Sequence, residues 1–531
     1  MWVFSASGCR WLGMGGSLAV AAGGWAAGTL PVRGGWGLWE PRGSALATAG
    51  NLLAYLGLAL LVAAWWRYGV LLARGGRPGV RATLACWTAP LLLAPPLHSA
   101  DVYSYIAQGA MVIEGHDVYG GGPALLGPDE LGADAAASVG GHWTDTPAPY
   151  GPAFLVLARL VTALTGGAIV PAVLGMRLLA VGALLLIVWA VRGLAEGRGG
   201  RDGAVWLAAL NPLVLIHVVG GMHNDGLMAG LMLAGVLLAV RGRWVLGAVL
   251  VGLAMMVKSP AAVALLFIGV IVARGAGGVR GLLKGLVLPG LVASAVAAAA
   301  TVAAGTGFGW LRTQSVAGTI HTALSASSDL GLGLGLLFGD DPEPVKGAVQ
   351  KLGLLLAALV VLELARRSWR GRLDPVLGLG LALVALVALS PMVQPWYLLW
   401  GTTAVAAAAW HSRAGQFLAV LSAALVWETA PSGHTPWYGF AAAGAVLAAG
   451  LLWMRRDPWP VTTPATSGAG TSGAGTLGAA TSGAGTSGAG TLGAATSGAA
   501  ASGAGTSDAG TSGASAPGTE PKGRGAEPAG R

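Results

Sequence analysis

The chain has 531 residues, of which 54% are hydrophobic and only 10% are charged, and its formal net charge is +9. Soluble domains carry about 25% charged residues, so this composition excludes a soluble globular protein and indicates a polytopic membrane protein. The arginines cluster between apolar runs, as in membrane proteins with basic cytoplasmic loops, so we expect no nucleic-acid partner. The two cysteines, Cys9 and Cys86, form no disulfide or metal-binding pattern.

The sequence predicts an all-α fold built from membrane-spanning helices. A spanning helix needs about 20 apolar residues, and apolar runs of this kind recur along the chain. We predict about fourteen such helices, at residues 12–30, 51–73, 82–97, 171–192, 204–220, 225–241, 244–257, 260–274, 284–304, 347–366, 375–391, 396–411, 415–430 and 437–454.

Basic residues predict the orientation of these helices. Arginines crowd every second loop between the runs, for example at 67–81, 192–201, 274–280 and 366–372. Because such loops remain in the cytoplasm, both termini are predicted inside the cell and the alternate loops outside. Residues 150–167 are apolar enough to span, but spanning would place the basic loop at 192–203 outside. We therefore interpret them as a helix lying at the outer interface.

The last part of the chain differs in composition from the rest. The sequence TSGAGTSGAGTLGAA occupies residues 466–480 and is repeated unchanged at 481–495, and no aromatic residue follows Trp459. Such a segment cannot bury a core. We predict a transmembrane domain over residues 1–460 and a disordered cytoplasmic tail over residues 461–531.

Asp101 is the main candidate for catalysis. It lies in LHSADVYSYIAQGA, after an apolar run that ends at Pro95 and Pro96, and a loop of some fifty residues then reaches DTPAPYGP. A carboxylate here could take a proton from an acceptor hydroxyl. Alternatively, it is an ordinary aspartate at a helix N-terminus, where the helix dipole favours it. Tyr103 and Tyr150, in the same two motifs, are predicted to contact substrate.

A second polar cluster interrupts the apolar runs at GGMHNDG, residues 220–226. Three polar side chains between two membrane helices are costly unless they face water or a cavity. His223, Asn224 and Asp225 could hydrogen-bond sugar hydroxyls, or they could form a tight turn that caps a helix. Metal ligation by His223 and Asp225 is conceivable, but no further ligands stand at characteristic spacings, and we predict no metal or cofactor.

Two cations and one aromatic motif complete the predicted site. Lys258, in MMVKSPAA, and Arg312, in FGWLRTQ, could each bind the phosphate of a lipid-phosphate substrate, although a lysine there could also reach to the membrane surface. Gln394 and Trp396 stand in SPMVQPWYLLW, where aromatic residues serve either as interfacial anchors or as a platform for sugars. All of these motifs fall in loops predicted to be external, and we expect them to form one site.

Five motifs together resemble a known family. SADVYSYIAQGAMVIEGHDVY, APYGPAFL, LNPLVLIHVVGGMHNDGLMAGLMLAG, VKSPA and QPWYLLW resemble, in sequence and order, the polyprenol-phosphomannose-dependent α-1,6-mannosyltransferases of lipomannan synthesis, which are integral-membrane glycosyltransferases of the GT-C superfamily. The resemblance covers roughly residues 50–455.

The resemblance implies a reaction. Mannose would pass from a polyprenyl phosphomannose donor, at the external face of the cell membrane, to the 6-hydroxyl of a mannan or lipomannan acceptor, with inversion of the anomeric centre. Asp101 would be the base, and Asp225 or Asp117 a second acid. Two alternatives stay open, a transferase for another sugar such as arabinofuranose, and a lipid or solute transporter.

Overall fold

The chain is folded almost entirely into helices in the computed structural model, which describes residues 5–76, 79–198, 200–338 and 341–456. Within these ranges there are no β-strands, and the predicted all-α class is confirmed. The predicted tail at 461–531 and its boundary after residue 460 lie outside the described residues. The α-helices are α1 (Ala6–Ala27), α2 (Ser44–Ala73), α3 (Val80–Thr88), α4 (Asp101–Glu114), α5 (Ala133–Val139), α6 (Pro152–Thr165), α7 (Ile169–Leu194), α8 (Arg201–Ala208), α9 (Pro212–Val214), α10 (Asp225–Val240), α11 (Trp244–Met255), α12 (Val263–Ala276), α13 (Gly278–Ala304), α14 (Val316–Thr319), α15 (Ala326–Phe338), α16 (Glu343–Trp369), α17 (Pro375–Ala388), α18 (Leu398–Ala409), α19 (Arg413–Leu425) and α20 (Trp437–Arg456).

Every predicted apolar run is helical, but fewer of the helices are long enough to cross a bilayer. Six of those described meet that requirement, namely α2, α7, α12 with its preceding turn, α13, α16 and α20. A bent pair, Arg201–Ala208 with Pro212–Gly220, would make a seventh. The protein is thus a multi-pass membrane protein, and the predicted number of about fourteen spans is not confirmed. The shorter helices, such as α10, α11 and α17, have 12 to 16 residues each.

Small residues let neighbouring helices approach closely. A Cβ atom on Gly16 of α1 would lie 2.8 Å from the carbonyl oxygen of Gly57 on α2, and a Cβ on Gly401 of α18 would lie 2.5 Å from that of Gly380 on α17. Such contacts are typical of membrane helices, whose backbones pack together without a hydrophobic driving force. In α18 every residue from Leu398 to Ala409 is buried, so this helix lies in the centre of the fold.

The arginine-rich loops contact one another. Arg198, after α7, forms an ion pair with Asp374, before α17, with 3.1 Å between Nε and Oδ2. Arg274, near the end of α12, donates to the carbonyl oxygen of Ser368, near the end of α16. These loops are the ones predicted to be cytoplasmic.

The loops that carry the polar motifs also contact one another. The backbone N–H of Leu97 donates to Gly220 O at 3.2 Å, and that of His98 donates to Pro431 O at 2.9 Å. These bonds bring the segment before α4, the segment before α10 and the segment after α19 together. The segments that carry Asp101 and His223 therefore meet in space.

A buried arginine holds two of these loops. Arg177 lies in the membrane helix α7, and only 2% of its surface is exposed. Its guanidinium donates hydrogen bonds to five backbone carbonyl oxygens, those of Leu92, Ala94, Pro95, Val219 and Gly220. The segments that end at Asp101 and at His223 are thus tied to the same side chain.

Candidate active site

A cavity of about 810 Å³ lies where the polar loops meet. Its walls come from the segment before α4, the loop before α6, the start of α12, residues 313–317, and the segments before α18 and α20. Among the described residues that line it, Asp101 is the only carboxylate and Lys258 is the only lysine or arginine. None of the described arginine-rich loops contributes to its walls.

Asp101 is the first residue of α4, and its carboxylate is held from two sides. Oδ2 accepts hydrogen bonds from Nδ1 of His223 at 3.1 Å and from the hydroxyl of Tyr105 at 3.4 Å, while the backbone N–H donates to the Ser99 hydroxyl. The side chain is 16% exposed. Burial opposes ionisation, but the hydrogen bond and charge of His223, together with the charge of Lys258, outweigh it and lower the pKa of the Asp101 carboxyl.

His223 is fixed by an aromatic neighbour. Its side chain is fully buried, and its ring stacks on the indole of Trp396, with 3.7 Å between ring centroids and 21° between ring planes. A bond from Nδ1 to a carboxylate requires the proton on Nδ1. The stack therefore aims this N–H at Asp101.

Two residues beside the site adopt a left-handed backbone without being glycine. His98 has a φ angle of 62° and Met222 one of 53°. Such conformations are uncommon for residues with a Cβ and persist where the surroundings impose them, often at functional sites. Nδ1 of the His98 ring donates to Thr429 O at 2.9 Å, and burial lowers the pKa of this imidazole to about 4.

Lys258, on another wall of the cavity, forms a pair with Asp225, which is buried and does not line the cavity. Nζ of Lys258 lies 2.9 Å from each carboxylate oxygen of Asp225, and the indole N–H of Trp400 donates to Oδ1 of the same carboxylate. Nζ also lies 4.4 Å from the ring centroid of Tyr397. Burial by itself would lower the pKa of the Lys258 ammonium, but the attraction of Asp225 outweighs it and raises the pKa.

Tyr150 is set against this pair by a contact that only glycine allows. Gly151 donates its N–H to Val257 O, and a Cβ atom on Gly151 would lie 2.5 Å from the carbonyl oxygen of Met256. The loop before α6 therefore packs on the segment that carries Lys258. Tyr150, Gln394 and Trp396 all line the cavity.

The structure brings most of the predicted residues together, but not all of them. Tyr103 does not reach the cavity. Its phenol is fully buried, and the hydroxyl donates to Thr29 O at 2.7 Å. Arg312 is exposed and lines a second cavity together with Asp117. Neither of these two residues lines the cavity that contains Asp101. Asn224 is buried, and its side-chain amide has no hydrogen-bond partner among the described residues.

Several residues at the site were not singled out from the sequence. Tyr105 takes the position assigned to Tyr103, because side chains four residues apart share one face of a helix and Asp101 begins α4. Trp400 donates to Asp225 of the Lys258 pair, and Tyr397, which stands in the predicted aromatic motif, lies beneath Nζ of Lys258. Among the described residues no group of three or more His, Cys, Asp or Glu side chains is arranged to hold a metal ion.

Two family models match the chain in separate segments. One, described as "Alpha-(1->6)-mannopyranosyltransferase, N-terminal domain", matches residues 10–274, and the other, "MptB C-terminal domain", matches residues 321–455. A probable α-(1→6)-mannopyranosyltransferase of Mycolicibacterium smegmatis is 38% identical over an alignment of 411 residues that covers 70% of this chain and 73% of that protein. The chain belongs to the α-(1→6)-mannopyranosyltransferase family.

Two further members of this family match over similar shares of their length. The α-(1→6)-mannopyranosyltransferase A of Mycobacterium tuberculosis is 34% identical over 453 residues, 81% of this chain and 86% of that protein. The α-(1→6)-mannopyranosyltransferase B of Corynebacterium glutamicum is 32% identical over 451 residues, 76% of this chain and 73% of that protein. The predicted family is confirmed, and with it the prediction of a membrane mannosyltransferase.

Both matched segments contribute to the site of this mannosyltransferase. The first contains Asp101, His223 and Lys258, and the second contains Gln394 and Trp396. The stack of His223 on Trp396 joins the two segments directly. Neither segment holds the whole set of side chains.

Proposed function

We propose that this protein transfers mannose from a polyprenyl phosphomannose donor to the 6-hydroxyl of a mannan acceptor, with inversion, in the cavity that Asp101 and Lys258 line. One observation carries the proposal. A cavity large enough for sugars presents a single carboxylate and a single ammonium group among the described residues of its walls. Transfer from a sugar phosphate needs these two groups, a base for the acceptor and a cation for the phosphate.

Asp101 serves as the general base. The acceptor hydroxyl oxygen forms a bond to the anomeric carbon while the bond from that carbon to the phosphate oxygen breaks. The hydroxyl proton passes to the Asp101 carboxylate, and the electron pair of the broken bond remains on the phosphate. The lowered pKa of Asp101 keeps the base ionised, and the bonds from His223 and Tyr105 fix its direction.

Lys258 binds the donor phosphate. An ammonium group has three N–H donors, and the two oxygens of Asp225 occupy two of them. The third can meet a phosphate oxygen at the cavity wall. Because attack leaves additional negative charge on the phosphate, a fixed cation there stabilises the transition state more than the ground state.

Asp225 supports Lys258 and is not the base. Its carboxylate is 1% exposed and accepts from Lys258 and from the indole of Trp400. Because Asp225 does not line the cavity, its carboxylate is not placed to take a proton from a hydroxyl there. Trp396, Tyr150 and Gln394 are left to contact the sugars.

The donor and acceptor reach the cavity from the external face of the cell membrane. The loops around the cavity are those predicted to be external from the arginine pattern, and the described arginine-rich loops contribute nothing to it. Both termini are then cytoplasmic. The names of the relatives favour mannose over arabinofuranose, and no feature of the described residues favours a transporter.

The test of this proposal is Asp101→Asn in purified protein. Radiolabelled polyprenyl phosphomannose and an α-1,6-linked mannoside are supplied, and the linkage of the product is determined. Loss of a general base costs about 10² to 10⁴ in rate, and we expect kcat to fall in this range while donor binding is retained. Near-normal turnover by Asp101→Asn would contradict the assignment of the base, and absence of transfer by the unchanged protein would contradict the function.

A pair of charge-removing variants separates the phosphate site from the rest of the protein. Lys258→Met removes the cation from the main cavity, whereas Arg312→Met removes one from the second cavity. We expect the donor KM to rise with Lys258→Met only. A rise with Arg312→Met and none with Lys258→Met would refute the phosphate assignment.

A further inference from the structure

A second cavity, of about 670 Å³, lies next to the first. The segment after α4 and the segment between α13 and α14 form its walls, with His116, Asp117 and Arg312 as its charged or titratable side chains. Phe308, also on its wall, is 60% exposed. The proposed transfer reaction uses none of these residues.

One layer of chain separates the two cavities. The hydroxyl of Tyr119 donates to Tyr150 O at 3.1 Å, and the N–H of Ala148 donates to Val118 O at 3.0 Å. Val118 lines the second cavity, whereas Tyr150 lines the first. On the other side Arg312 and Thr313, whose Cα atoms are about 3.8 Å apart, line the second and the first cavity respectively.

The side chains of the second cavity suit a neutral ligand rich in hydroxyl groups. Arg312 only donates hydrogen bonds and Asp117 only accepts them, and a hydroxyl can satisfy both. Nε2 of His116 lies 2.9 Å from a carboxylate oxygen of Glu130, and Asp117 lines the same cavity as Arg312, so the cavity combines carboxylates with a cation and an imidazole. Such a mixture disfavours a phosphate, whose charge the nearby carboxylates repel.

Phe308 adds an apolar surface to these polar groups. A pyranose has one face of C–H groups, which can cover an exposed aromatic ring while the hydroxyls at its edge are bonded by the charged groups. The combination of an exposed ring with donor-only and acceptor-only side chains favours a sugar over an apolar ligand or an anion.

We propose that the second cavity binds a mannosyl unit of the acceptor that is remote from the reacting 6-hydroxyl. This inference rests on the proposed function, because it takes the acceptor to be a mannan. The protein then distinguishes long acceptors from short ones, since a disaccharide fills the first cavity only and a longer chain also occupies the second.

The test compares two acceptors, an α-1,6-linked disaccharide and the corresponding hexasaccharide. Phe308→Ala and Arg312→Ala each remove a side chain that is exposed, so the fold should tolerate both. Loss of a hydrogen bond to a charged group, or of a ring contact, corresponds to about tenfold in affinity. We expect the ratio of the hexasaccharide KM to the disaccharide KM to rise by about tenfold in each variant.

Arg42→Ala is the matched control. Arg42 is also exposed, and it bonds only to Leu38 O among the interactions described. We expect its KM ratio to equal that of the unchanged protein. The inference is wrong if the ratio is the same in the Phe308, Arg312 and Arg42 variants, or if both acceptors weaken equally.

A binding measurement separates this inference from the proposed function. Hexasaccharide binding is followed by saturation-transfer NMR in the Asp101→Asn protein, which should not turn over. Binding that Phe308→Ala weakens supports the second cavity even if the unchanged protein transfers no mannose. Absence of hexasaccharide binding, together with binding of inorganic phosphate that depends on Arg312, would overturn the inference.

Discussion

Removal of the Arg177 guanidinium should destabilise the protein and disorganise the active site. Five carbonyl oxygens accept hydrogen bonds from this one group. Hydrogen bonds within membrane proteins contribute about 0.6 kcal/mol on average, and intramolecular hydrogen bonds in general up to about 1.5 kcal/mol. Arg177→Met should therefore lower the free energy of unfolding by about 3 to 7 kcal/mol. Arg177→Lys keeps the charge but has fewer donors, and we expect an intermediate loss.

The assay is unfolding in detergent by titration with a denaturing surfactant, followed by tryptophan fluorescence. Arg159→Met is the control, since Arg159 is partly exposed on α6 and has no hydrogen bond among those described. The Arg177 carbonyl partners lie in the segments just before Asp101 and His223. We therefore expect kcat to fall by more than the loss of folded protein accounts for. An unfolding free energy for Arg177→Met equal to that of the Arg159 control would refute this reasoning.

Three other changes test the site, the orientation and the packing. His223→Phe removes the bond and charge that lower the pKa of Asp101, so burial should raise that pKa and shift the acid limb of kcat/KM to higher pH; an unchanged limb would contradict the role of His223. With the two native cysteines replaced, a cysteine near Gly121 should react with an impermeant thiol reagent on intact cells and one near Gly371 should not; the reverse pattern would invert the topology. Gly401→Leu should separate α17 from α18, because its Cβ would lie 2.5 Å from a carbonyl oxygen, and a melting temperature equal to that of the unchanged protein would disprove this contact.

The helical runs could be predicted from the sequence because apolar composition alone identifies them. Their number as membrane spans is not confirmed, since a run such as 225–241 is predicted to span but forms a largely buried helix of 16 residues. Hydropathy reports that a segment avoids water. It does not distinguish burial in lipid from burial in protein.

The candidate site could be predicted where a single polar residue stands out in an apolar motif, and not where the helical phase decides between two similar residues. Asp101, His223 and Lys258 fall in motifs whose polarity is unusual for their surroundings. Tyr103 and Tyr105 are indistinguishable by composition, and only the start of α4 at Asp101 shows that the second shares its face.

The positions of Arg312 and Arg177 show two further limits of prediction from the sequence. Arg312 and Thr313 are adjacent in sequence, but short 3₁₀ turns direct them to different cavities. Arg177 lies within the predicted span 171–192, and no role is predicted for it from the sequence. A lone arginine in an apolar helix is nevertheless a signal of a specific role. The five carbonyl partners of Arg177 come from the backbone, which carries no sequence pattern.

The division of the cavity between the two matched segments has a consequence for the divergence of this family. The proposed base, its histidine and the proposed phosphate-binding lysine all lie before residue 274, whereas Gln394 and Trp396 lie after residue 321. The proposed reacting groups and the sugar contact Tyr150 thus lie in one stretch of the chain, and the other two proposed sugar contacts lie in another. Recombination between relatives within residues 275–320 would exchange the part of the cavity wall that contains Gln394 and Trp396 and would leave the reacting groups in place. The stack of His223 on Trp396 and the bond from Trp400 to Asp225 would have to re-form. A family organised in this way can acquire new acceptors without rebuilding its catalytic groups.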